Sequence, residues 1–145
     1  MISTELTSEE ILELYNEING LYDAENKVVI LKGLLDYEFS AILIKRLMEL
    51  SNKIKPIKEV TENTRKEIIK RLGEKADGKD EYFVSPKIVK EGVEVDNPNH
   101  LKCIEELTAL SKDIDTVEHH EFTLNDMDFK VKGRYPVFLM KIIKD

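Results

Sequence analysis

The chain has 145 residues, 41% of them hydrophobic and 35% charged, with the two kinds interleaved. This is enough for one modest core, and it excludes a disordered polyelectrolyte. A net charge of −7 excludes a general nucleic-acid binder, because phosphate neutralisation needs a concentrated basic surface.

Thr7 and Glu10 have capping-box spacing, so a helix is predicted to begin there. Ile11, Leu14, Tyr15 and Ile18 form its apolar stripe, and Gly20 is a natural stop. Residues 21–34 read as a connection holding one short strand-like run, Val28 to Leu31, punctuated by Gly33. Asp36 is the expected opening of a long helix that runs to about Gly73. Its apolar positions are Leu43, Leu47, Leu50, Ile54, Ile57, Thr61, Thr64 and Ile68, spaced alternately by four and three. Pro56 falls in the middle and removes one backbone donor. The apolar register is the same on both sides of it, so a kinked helix is expected rather than two helices.

Residues 76–80 are a turn. Tyr82 to Val84 and Gly92 to Val95 then read as two short strands forming a hairpin. Asp96-Asn97-Pro98 starts a helix predicted to end near Lys112. Residues 116–124 are rich in strand formers, Asn125-Asp126 turns the chain, and Phe129 and Val131 alternate with lysines up to Gly133. Pro136 is positioned to start a last helix with Phe138, Leu139, Ile142 and Ile143 on its apolar side.

No pattern carries specific chemistry. His119 and His120 are adjacent on a strand-like segment and should point to opposite faces, which is unsuited to binding one metal together. No phosphate-binding, dinucleotide-binding or nucleophile-elbow motif occurs. Asn125, Asp126 and Asp128 lack the glycine and the closing glutamate of a calcium loop. Cys103 is the single cysteine, which excludes an internal disulfide, and its helical setting suits a small buried hydrophobe. No enzyme, cofactor or metal is therefore expected. The acidic start, MISTELTSEE, lacks the order of a signal peptide, and no apolar run is long enough for a membrane span.

Charge is unevenly spread. Residues 1–52 carry ten acids against four bases, while 53–75 carry eight bases against four acids. A solvated helix face accounts for most such runs, and a docking strip for an acidic partner is the functional alternative. The residues expected to face a partner are Thr61, Thr64, Arg65, Ile68 and Arg71.

The order of features resembles a family of small proteins encoded by tailed bacteriophages. The stretch Thr64-Arg65-Lys66-Glu67-Ile68-Ile69-Lys70-Arg71-Leu72-Gly73-Glu74-Lys75, then Asp77-Gly78 and a strand containing Tyr82, is similar to the family's basic helix end and turn. Leu101 to Leu110, Asp115 to Leu124 and Pro136 to Ile143 follow in the family's order of helix, acidic strand and proline-led C-terminus. The resemblance spans residues 36–145. The chain departs from it in its longer N-terminal part and at Leu72, where tyrosine is common. It implies a phage origin and a small α+β fold, and supplies no site residues.

The expected fold is one domain over 1–145, α+β and mainly helical. Residues 1–35 give a helix and connection, 36–75 the long kinked helix, and 76–145 a hairpin, helix, strand and helix. The long helix should pack on shorter helices with a small antiparallel sheet at one end. A helix of that length reaches roughly 55 Å at 1.5 Å per residue, beyond the ~35–40 Å width of a compact domain this size. Part of its stripe must protrude or meet a partner. The leading functional expectation is a non-enzymatic, self-associating phage protein acting in particle assembly, in the host cytoplasm or virion. The alternatives are an inhibitor or adaptor binding a host defence protein, and a small enzyme of unknown type.

Overall fold

The computed structural model describes residues 1–127 and 135–144. In chain order the elements are β1 (Ile2–Thr7), α1 (Ser8–Asn19), β2 (Leu21–Asp23), β3 (Val28–Leu31), α2 (Ala41–Leu72), β4 (Glu74–Lys75), β5 (Tyr82–Phe83), β6 (Lys87–Lys90), β7 (Val93–Asp96), α3 (Pro98–Ser111), β8 (Ile114–His119) and α4 (Leu124–Met127). A short 3₁₀ turn, Leu34–Asp36, precedes α2, and a helical segment over 136–142, partly π-helical, closes the described chain. The fold is α+β and mainly helical, with small antiparallel sheets. Where the sequence reads as one domain, the chain groups into two compact units: Met1–Lys58 with Ile114–Asp145, and Glu59–Asp113. The second interrupts the first, and α2 runs from one into the other.

The first unit holds the main core. Thr7 caps α1 as its spacing predicts: its hydroxyl accepts the Glu10 amide and its own amide donates to the Glu10 carboxylate at 3.0 Å. The Thr7 amide holds the Glu10 carboxyl below its usual range, and Lys141, 3.2 Å away, adds to this. Ile11, Leu14 and Ile18 are buried on one face of α1, and Gly20 ends it with φ of 84°. Leu43, Leu47, Leu50 and Ile54 of α2 join the same core. Each such side chain contributes about 1.5–3 kcal/mol by leaving water. β1 pairs antiparallel with β8, from Ile2 opposite His119 to Thr7 opposite Ile114. Leu6, Val117 and His119 point inward, while Ser3, Glu5, Thr116 and Glu118 stay exposed. Phe122 and Phe138 meet edge-on with ring centroids 5.3 Å apart.

Glu17 is the unusual member of this core, at 3% exposure. Its carboxylate accepts the amides of Val137 and Phe138 at 3.0 and 2.8 Å, which fastens the C-terminal segment to α1. Burial raises its pKa, and the two amides only partly offset that.

The second unit is built from the last turns of α2, the pairs β4–β5 and β6–β7, and α3. Asn97 caps α3 by accepting the Asn99 amide, with Pro98 in the first turn. Arg71 of α2 pairs with Glu106 of α3, and the Asn99 side-chain amide donates to the Leu72 carbonyl at 3.3 Å. Cys103 is buried, as its helical setting implied.

Several expectations are corrected. α2 starts at Ala41, because Ser40 accepts the Leu43 amide there; Asp36 belongs to the preceding 3₁₀ turn. The expected continuity through Pro56 holds: α2 is one helix across it, the carbonyl left without its amide is that of Asn52, and both residues are exposed, so water can serve it. Tyr82-Phe83 pairs with Glu74-Lys75 rather than with Gly92 to Val95, whose strand β7 pairs with β6. β1 and β2 arise where no strand was expected, and the strand-forming stretch from residue 116 contributes to β8, which pairs with β1. The alternating segment at Phe129, Val131 and Gly133 lies outside the described residues.

Candidate interaction surfaces

The five residues expected to face a partner divide by exposure. Arg65 and Arg71 are exposed, and Arg71 is engaged by Glu106. Thr64 and Ile68 are half-buried; the Thr64 hydroxyl donates to the Val60 carbonyl at 2.7 Å. Thr61 is buried, at 6% exposure, so the apolar seam extends one turn further into the basic stretch than its composition suggested. On the second unit Val60, Phe83, Val89, Val93, Leu101 and Ile104 are all largely exposed.

The hairpin β2–β3 presents the densest exposed apolar surface of the first unit. Leu21, Tyr22, Val28, Val29 and Ile30 are all exposed, with Tyr22 and Val29 each at 61% and Ile30 at 65%. The register places Val28 and Val29 on opposite faces, so both faces of the hairpin's outer end stand in solvent. Tyr22 lies opposite Val29 and Leu21 opposite Leu31, so Ile30 is an extra residue in a bulge. The bulge shifts the register just before Leu31, which packs against the core.

The hairpin is held firmly at both ends. At its tip the Asp23 carboxylate accepts the Glu25 and Asn26 amides at 3.0 and 3.2 Å and the Asn26 side-chain amide at 2.7 Å. The Asn26 side chain is the main cause that keeps the Asp23 carboxyl below its usual range. Lys27 completes the turn in the left-handed region, with φ of 54°. At its root Gly20 and Gly33 pass so close that a methyl group on Gly33 would lie 2.5 Å from the Asn19 carbonyl carbon. Tyr135, which is buried, donates its hydroxyl to the Lys32 carbonyl just beyond β3.

His119 and His120 do point apart. His120 reaches Glu49 at 3.2 Å, whereas His119 is buried. Since a carbonyl only accepts, His119 Nδ1–H donates to the His120 carbonyl at 2.6 Å, and Nε2 accepts the Thr4 hydroxyl at 2.8 Å. A hydroxyl, an imidazole and an orienting acceptor also make up an activated nucleophile. Here Thr4 and His119 lie on the paired strands β1 and β8, and the His119 ring is buried. Burial lowers the His119 pKa, which keeps the ring neutral. As pH falls through about 6.5, the unfolded chain takes up a proton that the folded chain refuses. Stability from this group is therefore complete above about pH 7 and is lost on acidification. Urea titrations at pH 7 and pH 5 should show the wild type losing more stability than His119→Gln over that interval; equal losses would refute the assignment.

A groove on the second unit is lined by Lys66, Ile69, Lys70, Asp80, Glu81 and Tyr82, with the Lys70 amine 5.7 Å from the Tyr82 ring centre. Charges of both signs line it, so it selects no one class of small ligand. Among the described residues, no group of three or more His, Cys, Asp or Glu is arranged to hold a metal ion, and no helix is long and apolar enough to cross a membrane. No protein-family model, curated protein or solved structure matches the chain.

Proposed function

We propose that this chain is a non-enzymatic interaction protein that works by self-association, in the setting of bacteriophage particle assembly. The observation that carries the reading is the placement of large apolar side chains in solvent on ordered elements of both units, on β2–β3 in one and on α3 and β6–β7 in the other. Contiguous apolar surface on ordered elements is characteristic of protein contact sites. The phage setting is supported by the resemblance of residues 36–145 to small tailed-phage proteins. Light scattering coupled to gel filtration, over roughly 1–500 µM protein, tests the reading in the range where modest interfaces form. The mass should rise with concentration from that of one chain to that of two or more. A constant single-chain mass across the range would overturn it.

A further inference from the structure

We propose that Asp77-Gly78 is a site of spontaneous backbone isomerisation, and that the fold reverses the reactivity of this pair relative to Asn19-Gly20. These are the two places in the chain where an Asn or Asp precedes glycine. The chemistry is the same at both. The glycine nitrogen attacks the side-chain carbonyl carbon of the residue before it, and a C–N bond closes a five-membered succinimide. Water leaves from the Asp77 carboxyl, or ammonia from the Asn19 amide. One water then opens the ring. Breaking the bond from nitrogen to the side-chain carbon gives aspartate. Breaking the bond from nitrogen to the main-chain carbon gives isoaspartate, in which the chain runs on through the side chain. No electrons are exchanged, and water is the only co-reactant. Glycine favours the step because it has no Cβ to obstruct its nitrogen. In an unfolded chain at neutral pH the Asn pair reacts faster, since an ionised carboxylate resists attack and an amide does not.

The structure holds the two pairs differently. Asn19 ends α1, and its side-chain amide donates to the Tyr15 carbonyl at 3.0 Å and to the Ser51 hydroxyl at 2.9 Å. The Gly20 amide, which would be the nucleophile, donates to the Asn16 carbonyl at 2.6 Å. Backbone crowds Gly20 as well: a carbon added there would lie 2.8 Å from the Gly33 nitrogen and from the Leu31 carbonyl oxygen. Ring closure at Asn19 therefore has to break several hydrogen bonds and displace packed backbone. Asp77 and Gly78 are both exposed, in the turn between β4 and β5. Gly78 has φ of 71°, and the Lys79 amide donates to the Ala76 carbonyl across the turn at 3.3 Å. Neither the Asp77 carboxylate nor the Gly78 amide has a hydrogen-bond or ion-pair partner among the described residues. A carbon added to Gly78 would meet nothing within 4 Å. One long hydrogen bond is all that spans the turn, so its dihedrals can rotate into the closing geometry at small cost. Isoaspartate lengthens the turn by one main-chain carbon, while the Ala76 amide on the Glu81 carbonyl and the β4–β5 pairing hold its ends. The product carries a main-chain carboxylate in an exposed turn, the group that a carboxyl-methylating repair enzyme takes as substrate.

Incubation at neutral pH in water enriched in heavy oxygen, for the native protein and for the protein in guanidinium chloride, tests the proposal. Cleavage after glutamate releases residues 18–25 and 75–81, which carry the two pairs separately. Electron-transfer fragmentation in the mass spectrometer then locates isoaspartate and the incorporated oxygen. In denaturant Asn19 should convert at least tenfold faster than Asp77. In the native protein Asn19 should slow at least a hundredfold and Asp77 less than threefold, which puts Asp77 ahead. Asp77→Glu, which keeps the charge but cannot close the five-membered ring, should remove the signal from 75–81. Asn19 ahead of Asp77 in the native protein, or Asp77 slowed as strongly as Asn19, would overturn the proposal. So would an Asn19 rate in denaturant no higher than that of Asp77, because the fold would then reverse nothing. A 75–81 signal that persists in Asp77→Glu would move the modification to Asp80 and overturn the assignment.

Discussion

Glu17→Ala is expected to cost about 3 kcal/mol of folding stability, measured as the shift in urea midpoint. The carboxylate is buried and accepts the two amides that open the 136–142 segment. Removing it leaves both donors without a partner, at about 1–3 kcal/mol each when no water reaches them. Such a loss is a large fraction of the 5–15 kcal/mol typical of a folded domain. Glu17→Gln keeps one acceptor but turns an amide donor toward the second backbone N–H, so it should lose roughly half as much. Hydrogen exchange supplies the local readout: the amides of Val137 and Phe138 should lose protection first. Lys141→Ala, which removes the partly exposed partner of Glu10, should cost under about 1 kcal/mol. A Glu17→Ala cost no greater than that of Lys141→Ala would sink the claim that this carboxylate holds the C-terminus.

Gly33→Ala should also cost about 3 kcal/mol, by forcing backbone apart rather than by removing a partner. The backbone at Gly33 has φ of −69°, which alanine adopts readily, so conformational preference is not the obstacle. The added methyl would sit 2.5 to 2.7 Å from the Asn19 carbonyl group and the Gly20 nitrogen, none of which is a flexible side-chain end. Gly92→Ala provides the contrast. There φ is 77° with open space around the new carbon, so only the left-handed penalty of about 1–2 kcal/mol applies. Denaturant midpoints of the two variants should separate these mechanisms. Equal costs would show that the Gly20–Gly33 approach relaxes freely.

Local signals were legible in the sequence and distant pairings were not. The Thr7 capping box, the Gly20 stop, the Asn97-Pro98 start and the seam from Leu43 to Ile54 each depend on residues within a few turns of one another. β1 was missed because Ile2–Thr7 is half polar and its partner β8 lies more than a hundred residues away. The β6–β7 hairpin was misassigned because its turn is Glu91-Gly92, with φ of 53° and 77° and Lys90 opposite Val93. Two left-handed residues make the tight turn favoured between antiparallel strands, and reading Gly92 as the start of a strand hid it. Glu17 reads as one more solvated charge on an acidic helix, since its two partners come from 137–138. The same limit applies to the hairpin β2–β3. Val28 to Leu31 is recognisable as a strand, but an apolar run ordinarily signals burial, and nothing in the run itself shows that a two-stranded pairing leaves both faces in solvent.

The interruption of the first unit by residues 59–113 also orders events during synthesis. β1 is made before its partners in the ladder, Ile114 to His119, which emerge only after residues 8–113 have followed. At about 5–20 residues per second that is a delay of roughly 5–20 s. Throughout that time β1 has no ladder and the core face of α1 lacks Phe122, Phe138 and Ile142. The inserted unit, which is contiguous in sequence, can be complete before the unit whose two segments flank it in the chain. β1 is thus made long before it can be secured.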